Sequence, residues 1–182
     1  MGNLLSAKDI EKISYEVLRD SKSLGVFPTP VDNIVKYCEL NVREDIDISK
    51  IHPSYISKAS DVLNRALSKI RGLLDRPQKE IFLDLSQLKE RKNFVKLHEV
   101  GHQILPWQKD IHDILGDDDD SLNEDVHEEF EVEANYFASI TIFQHELFHH
   151  ELNKLDLSLE SCMQLARVFG SSVHAALRRY VE

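Results

Sequence analysis

The chain has 182 residues and a mass of 21.0 kDa, which is the usual size of one domain. Apolar residues make up 42% and charged residues 30% of the chain, so the composition excludes a disordered protein and is typical of a globular one. The formal net charge of −10 repels phosphate backbones, which argues against direct nucleic-acid binding through the general surface.

Targeting signals and cysteine chemistry are not evident in the sequence. No apolar run approaches the ~20 residues of a membrane span, so we expect no membrane association. The N-terminus lacks the basic and apolar regions of a signal peptide. Cys38 and Cys162 are too few and too far apart for a disulfide framework or a Cys-based zinc site. These features favour a cytoplasmic protein.

The N-terminal part, residues 1–70, is predicted to be mainly helical. Apolar residues at helical spacing predict a helix over 7–23. Thr29 followed by Pro30 predicts an N-cap and the first position of a second helix. Residues 41–48 are predicted to form a short strand or extended piece, and residues 60–70 a further helix.

The middle part, residues 71–152, combines a hairpin with long helices. Two apolar runs around a turn predict a β-hairpin over 73–85. Ser86 is predicted to cap a helix that runs to about Leu105, and a polar, acidic loop is predicted over 106–123. A single long helix is then expected from about Glu124 to about Leu152.

The C-terminal part, residues 153–182, is predicted to be a pair of helices capped by Ser158 and Ser172. The order of helices, a small antiparallel sheet and more helices indicates an α+β fold. We therefore expect one domain over residues 1–182, built from these three parts.

The segment His98-Glu99-Val100-Gly101-His102 lies within the predicted helix that follows the hairpin. Residues four apart share a helix face, so both imidazoles can reach one metal ion at about 2.0–2.1 Å. Glu99 lies at the edge of that face, where its carboxylate can hold a water molecule without binding the metal. This is the arrangement of zinc peptidases.

A catalytic zinc site needs a third protein ligand, and Glu131 on the next predicted helix can supply it. Asn135 lies four residues later on the same face, where it can hydrogen-bond a ligand imidazole and fix its tautomer. Gly101 costs roughly 1 kcal/mol in a helix interior. A close approach of the neighbouring helix or the metal would explain why glycine is accepted there.

The chain resembles the ImmA/IrrE family of metallo-endopeptidases, a gluzincin-like group. The resemblance rests on Phe94 before the His-Glu-x-x-His segment, on the E-x-x-A-N-x-F-A segment Glu131–Ala138, on the hairpin, and on Leu165–Ser172. It implies a mostly helical, zincin-like domain. It also implies that His98, His102 and Glu131 bind zinc and that Glu99 is the general base.

Several details of the site stay open at this stage. The E-x-x-A register and Asn135 favour Glu131 over Glu133 as the third ligand. Tyr136 and His127 are candidate donors to the oxyanion because they lie near Glu131 in the sequence. Two histidines and one carboxylate suit Zn²⁺, but the same set can hold Mn²⁺ or Fe²⁺.

A second match to the same motif occurs at His145-Glu146-Leu147-Phe148-His149. On a straight helix His145 would lie ~21 Å from Glu131, so it cannot share the first site's metal. A packing or surface role is the main prediction for His145 and His149. Adventitious metal binding is the alternative.

The resemblance implies a regulatory, site-specific protease that cleaves a helix-turn-helix transcription repressor encoded nearby, often on a phage or mobile element. Two alternatives remain. One is a non-catalytic module of the same fold that binds and sequesters a repressor. The other is the toxin component of a toxin–antitoxin pair, since similar domains occur in such operons.

Overall fold

A computed structural model describes residues 7–50, 72–115 and 124–181. The helix predicted over 60–70 lies outside the described residues. Within the described ranges the elements are α1 (Ala7–Asp20), α2 (Val31–Tyr37), β1 (Asn41–Asp47), a 3-10 turn (Ile48–Lys50), β2 (Gly72–Asp75), β3 (Glu80–Leu83), α3 (Lys89–Ile104), α4 (Pro106–Leu115), α5 (Glu124–Phe143), α6 (Glu146–Leu152), α7 (Leu159–Phe169) and α8 (Val173–Val181).

The three described strands form one sheet in the order β1-β3-β2. The hairpin prediction is confirmed, because β2 and β3 pair antiparallel with Leu74 opposite Ile81. The sheet as a whole is mixed rather than antiparallel, because β1 pairs with β3 in parallel, with Val42 opposite Ile81. A parallel partner comes from a distant part of the chain, so no turn in the sequence indicates the pairing.

The core lies between the sheet and the helices. β3 is the central strand, and its Ile81 and Leu83 are almost completely buried. Both α3 and α1 pack against α5. At the far end of α5, four phenylalanine rings with centroids 4.9–5.8 Å apart join α5, α6, α7 and the loop before α2: Phe27, Phe143, Phe148 and Phe169. The prediction of an α+β fold is confirmed.

The prediction of a loop over 106–123 is wrong for residues 106–115. Residues Pro106–Leu115 form helix α4, and only Leu105 separates it from the end of α3 at Ile104. Proline at the first helical position is compatible with this start, because its missing N–H has no helical partner there. The loop was predicted because acidic residues follow this segment in the sequence. Residues 116–123 lie outside the described part of the chain.

The prediction of a single helix over 124–152 is also wrong. Two helices, α5 and α6, are separated by Gln144 and His145, which both have φ of 51°. Gln144 is buried, and its amide binds the segment before α2. Tertiary hydrogen bonds therefore break a pattern that helical periodicity alone would continue.

Two of the four predicted caps are present. Ser158 accepts a hydrogen bond from the Ser161 amide, and Ser172 accepts one from the Ala175 amide. Ser86 does not cap α3, because its hydroxyl donates to Asp84. Thr29 does not cap α2 either. Its hydroxyl donates to the Ile142 carbonyl at 2.8 Å and so ties the segment before α2 to α5.

None of the helices in the described ranges combines the length and the apolar character needed to cross a membrane.

Candidate metal centre

Three side chains from two helices meet at one point. α3 carries His98 and His102 one turn apart, and α5 carries Glu131 opposite them. His98 Nε2 lies 3.0 Å from His102 Nε2, and the Glu131 oxygens lie 3.6 and 3.3 Å from these two nitrogens. Among the described residues this is the group of His, Cys, Asp and Glu side chains that can hold a metal ion.

The separations of these atoms fit a small tetrahedral ion. Zinc–ligand bonds of about 2.0–2.1 Å at tetrahedral angles place neighbouring ligand atoms roughly 3.3 Å apart. The three distances of 3.0, 3.3 and 3.6 Å scatter around that value. Three protein ligands leave a fourth position for water or substrate, which is the pattern of catalytic zinc sites.

The electrostatics of the three ligands are those of a cation site. Burial and the neighbouring His102 lower the pKa of His98 to about 3, so this imidazole is neutral at pH 7 and can donate a lone pair. Burial alone would lower the pKa of His102 and raise that of Glu131. Their mutual attraction outweighs burial, so the pKa of His102 is raised and that of Glu131 lowered. Glu131 is thus a carboxylate at neutral pH.

Glu99 is a buried carboxyl beside this group. It is 5% exposed, and burial raises its pKa to about 7. The charges of His102 and Arg76 act in the opposite direction and favour the carboxylate. A carboxyl poised near neutrality can both accept and release a proton, which is the property of a general acid–base group.

The close approach predicted at Gly101 is present. A Cβ at this position would lie 3.2 Å from Phe137 Cδ1 and 3.3 Å from the Ala134 Cα. These are tighter than ordinary contacts, so glycine lets α5 approach α3 closely enough for Glu131 to face the two histidines. The neighbouring helix, rather than the metal, explains the glycine.

Gly72 at the start of β2 has a similar role toward Glu99. A Cβ there would lie 2.3 Å from Val95 Cγ1 and 2.6 Å from Glu99 Oε1. The backbone of β2 therefore covers the Glu99 carboxyl directly.

We expect Gly72→Ala to lower the free energy of unfolding by about 1–3 kcal/mol, because the added methyl displaces the buried Val95 and Glu99. Where it fits, a Gly→Ala change usually stabilises by about 0.4–1 kcal/mol. Urea denaturation of the two proteins measures the difference. An unchanged or higher midpoint for Gly72→Ala would contradict the close packing of β2 on Glu99.

Helix α4 adds a polar network that the sequence analysis missed. Gln108 Oε1 lies 2.8 Å from His102 Nδ1, and Gln108 Nε2 donates to Glu133 Oε2 at 2.8 Å. Trp107 Nε1 donates to the same Glu133 oxygen at 2.7 Å. Glu133, which was the alternative to Glu131 as the third metal ligand, is therefore turned toward α4. In the sequence, Pro106 followed by Trp107 and Gln108 was the feature that could have indicated a helix with polar contacts at this position.

The remaining predicted site residues have different surroundings. Asn135 acts on His98 and opposes the net lowering of its pKa, but His98 Nδ1 is buried without a hydrogen-bond partner, so the tautomer-fixing role of Asn135 stays a prediction. The charge of His127 contributes to the lowered pKa of Glu131, after the larger effects of His102 and His98. The Tyr136 hydroxyl instead donates to Glu11 of α1 at 2.7 Å. Of the two candidate oxyanion donors, Tyr136 thus has a hydrogen bond to α1, and His127 acts electrostatically on Glu131.

Arg76, in the turn between β2 and β3, is a further residue that sequence reasoning did not select. Its guanidinium donates to the carbonyl oxygen of His102 at 2.7 Å. It therefore fixes the turn against the last turn of α3, and its charge reaches Glu99.

The second His-Glu-x-x-His segment is not helical throughout and forms no comparable group among the described residues. His145 Nε2 lies 3.1 Å from Ser14 Oγ, which lies 2.8 Å from Thr141 Oγ1. His149 is exposed, beside the Phe148 ring. His145 thus joins α1 to the end of α5, in agreement with the predicted packing role.

The comparison with protein-family models gives one result for this chain. The model described as the IrrE N-terminal-like domain, a peptidase family, matches residues 60–180. This segment covers about two thirds of the chain and contains the hairpin, both metal-site helices and every ligand named above. No curated protein matches the chain.

Proposed function

Since the chain belongs to the IrrE N-terminal-like domain family of peptidases, we propose that it is a zinc-dependent endopeptidase. The observation that carries the proposal is the meeting of His98, His102 and Glu131 beside the buried carboxyl of Glu99. A metal-binding group alone is compatible with a structural ion. A buried acid–base carboxyl next to it supports hydrolysis.

The proposed mechanism gives each residue one task. His98, His102 and Glu131 would hold the metal, which when bound supplies a Lewis acid that polarises a carbonyl and lowers the pKa of a water. Glu99 accepts the proton of the attacking water and later releases it to the leaving amine. Because Glu99 is buried under β2, its carboxyl is held in place and shielded from bulk water. His127 is the candidate donor to the oxyanion.

The position of β2 supports a peptide as the substrate. Among the described strands, β2 lies at one edge of the sheet, and its first residue, Gly72, lies against Glu99. An extended peptide can add to a sheet edge through main-chain hydrogen bonds. A segment bound in this way would pass beside the acid–base carboxyl.

The proposed substrate is a helix-turn-helix transcription repressor encoded nearby, and the proposed site of action is the cytoplasm. The proposals of substrate and compartment rest on the ImmA/IrrE resemblance rather than on the geometry. A regulatory protease of this kind has narrow specificity, so we expect slow or no cleavage of generic substrates such as casein. Rapid casein cleavage would contradict a regulatory role.

The metal centre is tested by measuring metal content. We expect about one zinc per chain in untagged wild-type protein, loss of the zinc in Glu131→Ala and retention in His145→Ala, because only Glu131 belongs to the ligand group. Mass spectrometry of the metals in all three proteins measures this. Zinc that is lost with His145→Ala would contradict the proposed site, and manganese or iron in place of zinc would revise the metal.

A further inference from the structure

We propose that Gln108 and Glu133 form a relay that sets the tautomer, orientation and donor strength of His102, and thereby the affinity of the metal centre. The inference rests on the proposed metal site. It assigns positioning roles to two residues outside the ligand set, one of them on a helix that the sequence did not predict.

The orientation of the Gln108 amide follows from its partners. Its nitrogen faces two acceptors, Glu133 Oε2 at 2.8 Å and the Phe130 carbonyl oxygen at 3.2 Å. Only the NH₂ end of an amide can donate to both. The amide oxygen must therefore be the end that lies 2.8 Å from His102 Nδ1.

This orientation decides the tautomer of His102. An amide oxygen can only accept, so His102 Nδ1 must carry a hydrogen and donate it to Gln108. In the neutral ring the lone pair is then on Nε2, the atom that faces His98 and Glu131. A ring held in this tautomer is ready to bind a metal through Nε2.

Glu133 gives the relay its charge. It is 5% exposed, and it accepts hydrogen bonds from Gln108 Nε2 and from Trp107 Nε1 through the same oxygen, Oε2. A carboxylate acting through the amide polarises Gln108, which then accepts more strongly from His102. The Trp107 indole holds the carboxylate in place, because it donates from the residue next to Gln108.

The test measures metal affinity rather than hydrolysis. The dissociation constant for Zn²⁺ is measured by competition with a chromophoric chelator, and the absorption spectrum of the Co²⁺ form reports the coordination. We expect Gln108→Leu to weaken zinc binding about 10–100-fold and Glu133→Gln to weaken it about 10-fold. Glu133→Gln preserves the shape of the side chain, so it remains informative if Gln108→Leu folds poorly.

The isosteric change Glu133→Gln separates the relay from simple packing. It keeps the volume of the side chain and an oxygen that can accept from Gln108 Nε2 and Trp107 Nε1, and it removes only the charge. Wild-type zinc affinity in this variant would overturn the role of the Glu133 charge in the relay.

Gln144→Leu is the matched control, because Gln144 is also a buried glutamine with several hydrogen bonds but contacts none of the ligands. We expect it to lose stability and keep wild-type zinc affinity. Unchanged affinity in Gln108→Leu and Glu133→Gln would overturn the relay alone. A wild-type protein that binds no metal would overturn the proposed function together with the relay.

Discussion

We expect Glu99→Gln to lower the rate of peptide hydrolysis about 10²–10⁴-fold while zinc stays bound. Glutamine has nearly the same shape and fits the buried position under β2, but its amide cannot take up a proton. The three ligands are untouched by the change. The measurement is cleavage of the proposed substrate, a helix-turn-helix repressor, detected by gel electrophoresis, with zinc content determined on the same samples.

Glu146→Gln is the matched control, because Glu146 has the same place in the second His-Glu-x-x-His segment and is exposed. We expect this variant to cleave at the wild-type rate. The pair also separates the protease from the sequestering module. If Glu99→Gln retained full biological function, binding without hydrolysis would be the activity of this protein.

The largest loss of stability is expected for Gln144→Leu. Gln144 is 1% exposed, accepts from the Gly25 amide at 2.7 Å, and donates to Val26 O, Thr29 Oγ1 and Ser23 O at 2.9–3.2 Å. Leucine fills a similar volume but leaves these groups without the amide. Because a buried unsatisfied polar group costs about 1–3 kcal/mol, we expect the free energy of unfolding to fall by about 3 kcal/mol.

Urea denaturation of Gln144→Leu beside Gln164→Leu measures this effect. Gln164 is exposed on α7, so the same substitution there should change the stability by less than about 0.5 kcal/mol. Equal midpoints for the two variants would contradict the role of Gln144 in joining α5 to the segment before α2.

The break between α5 and α6 marks a limit of sequence reasoning. The apolar periodicity of residues 124–152 continues across Gln144 and His145, so a single helix is the natural prediction. The break depends on hydrogen bonds from Gln144 to residues near position 25, more than one hundred positions away in the chain. No local pattern contains that information.

The same reasoning explains the network around α4. The sequence around Trp107 and Gln108 precedes a run of aspartates, and composition favoured a loop. The proposed role of Gln108 depends on its simultaneous contacts with His102 on α3 and Glu133 on α5. Only the packing of three helices brings these groups together.

The sequence by itself determined the α+β class, the hairpin, the family and the spacing of His98, Glu99 and His102, because these depend on local periodicity and on residues within one turn of a helix. The tertiary structure decided the rest. It brought Glu131 to the histidines across Gly101, turned Glu133 away to Gln108, and placed β1 parallel to β3. These features require surfaces distant in the chain to pack together, and close packing is a property of the folded chain rather than of any one segment.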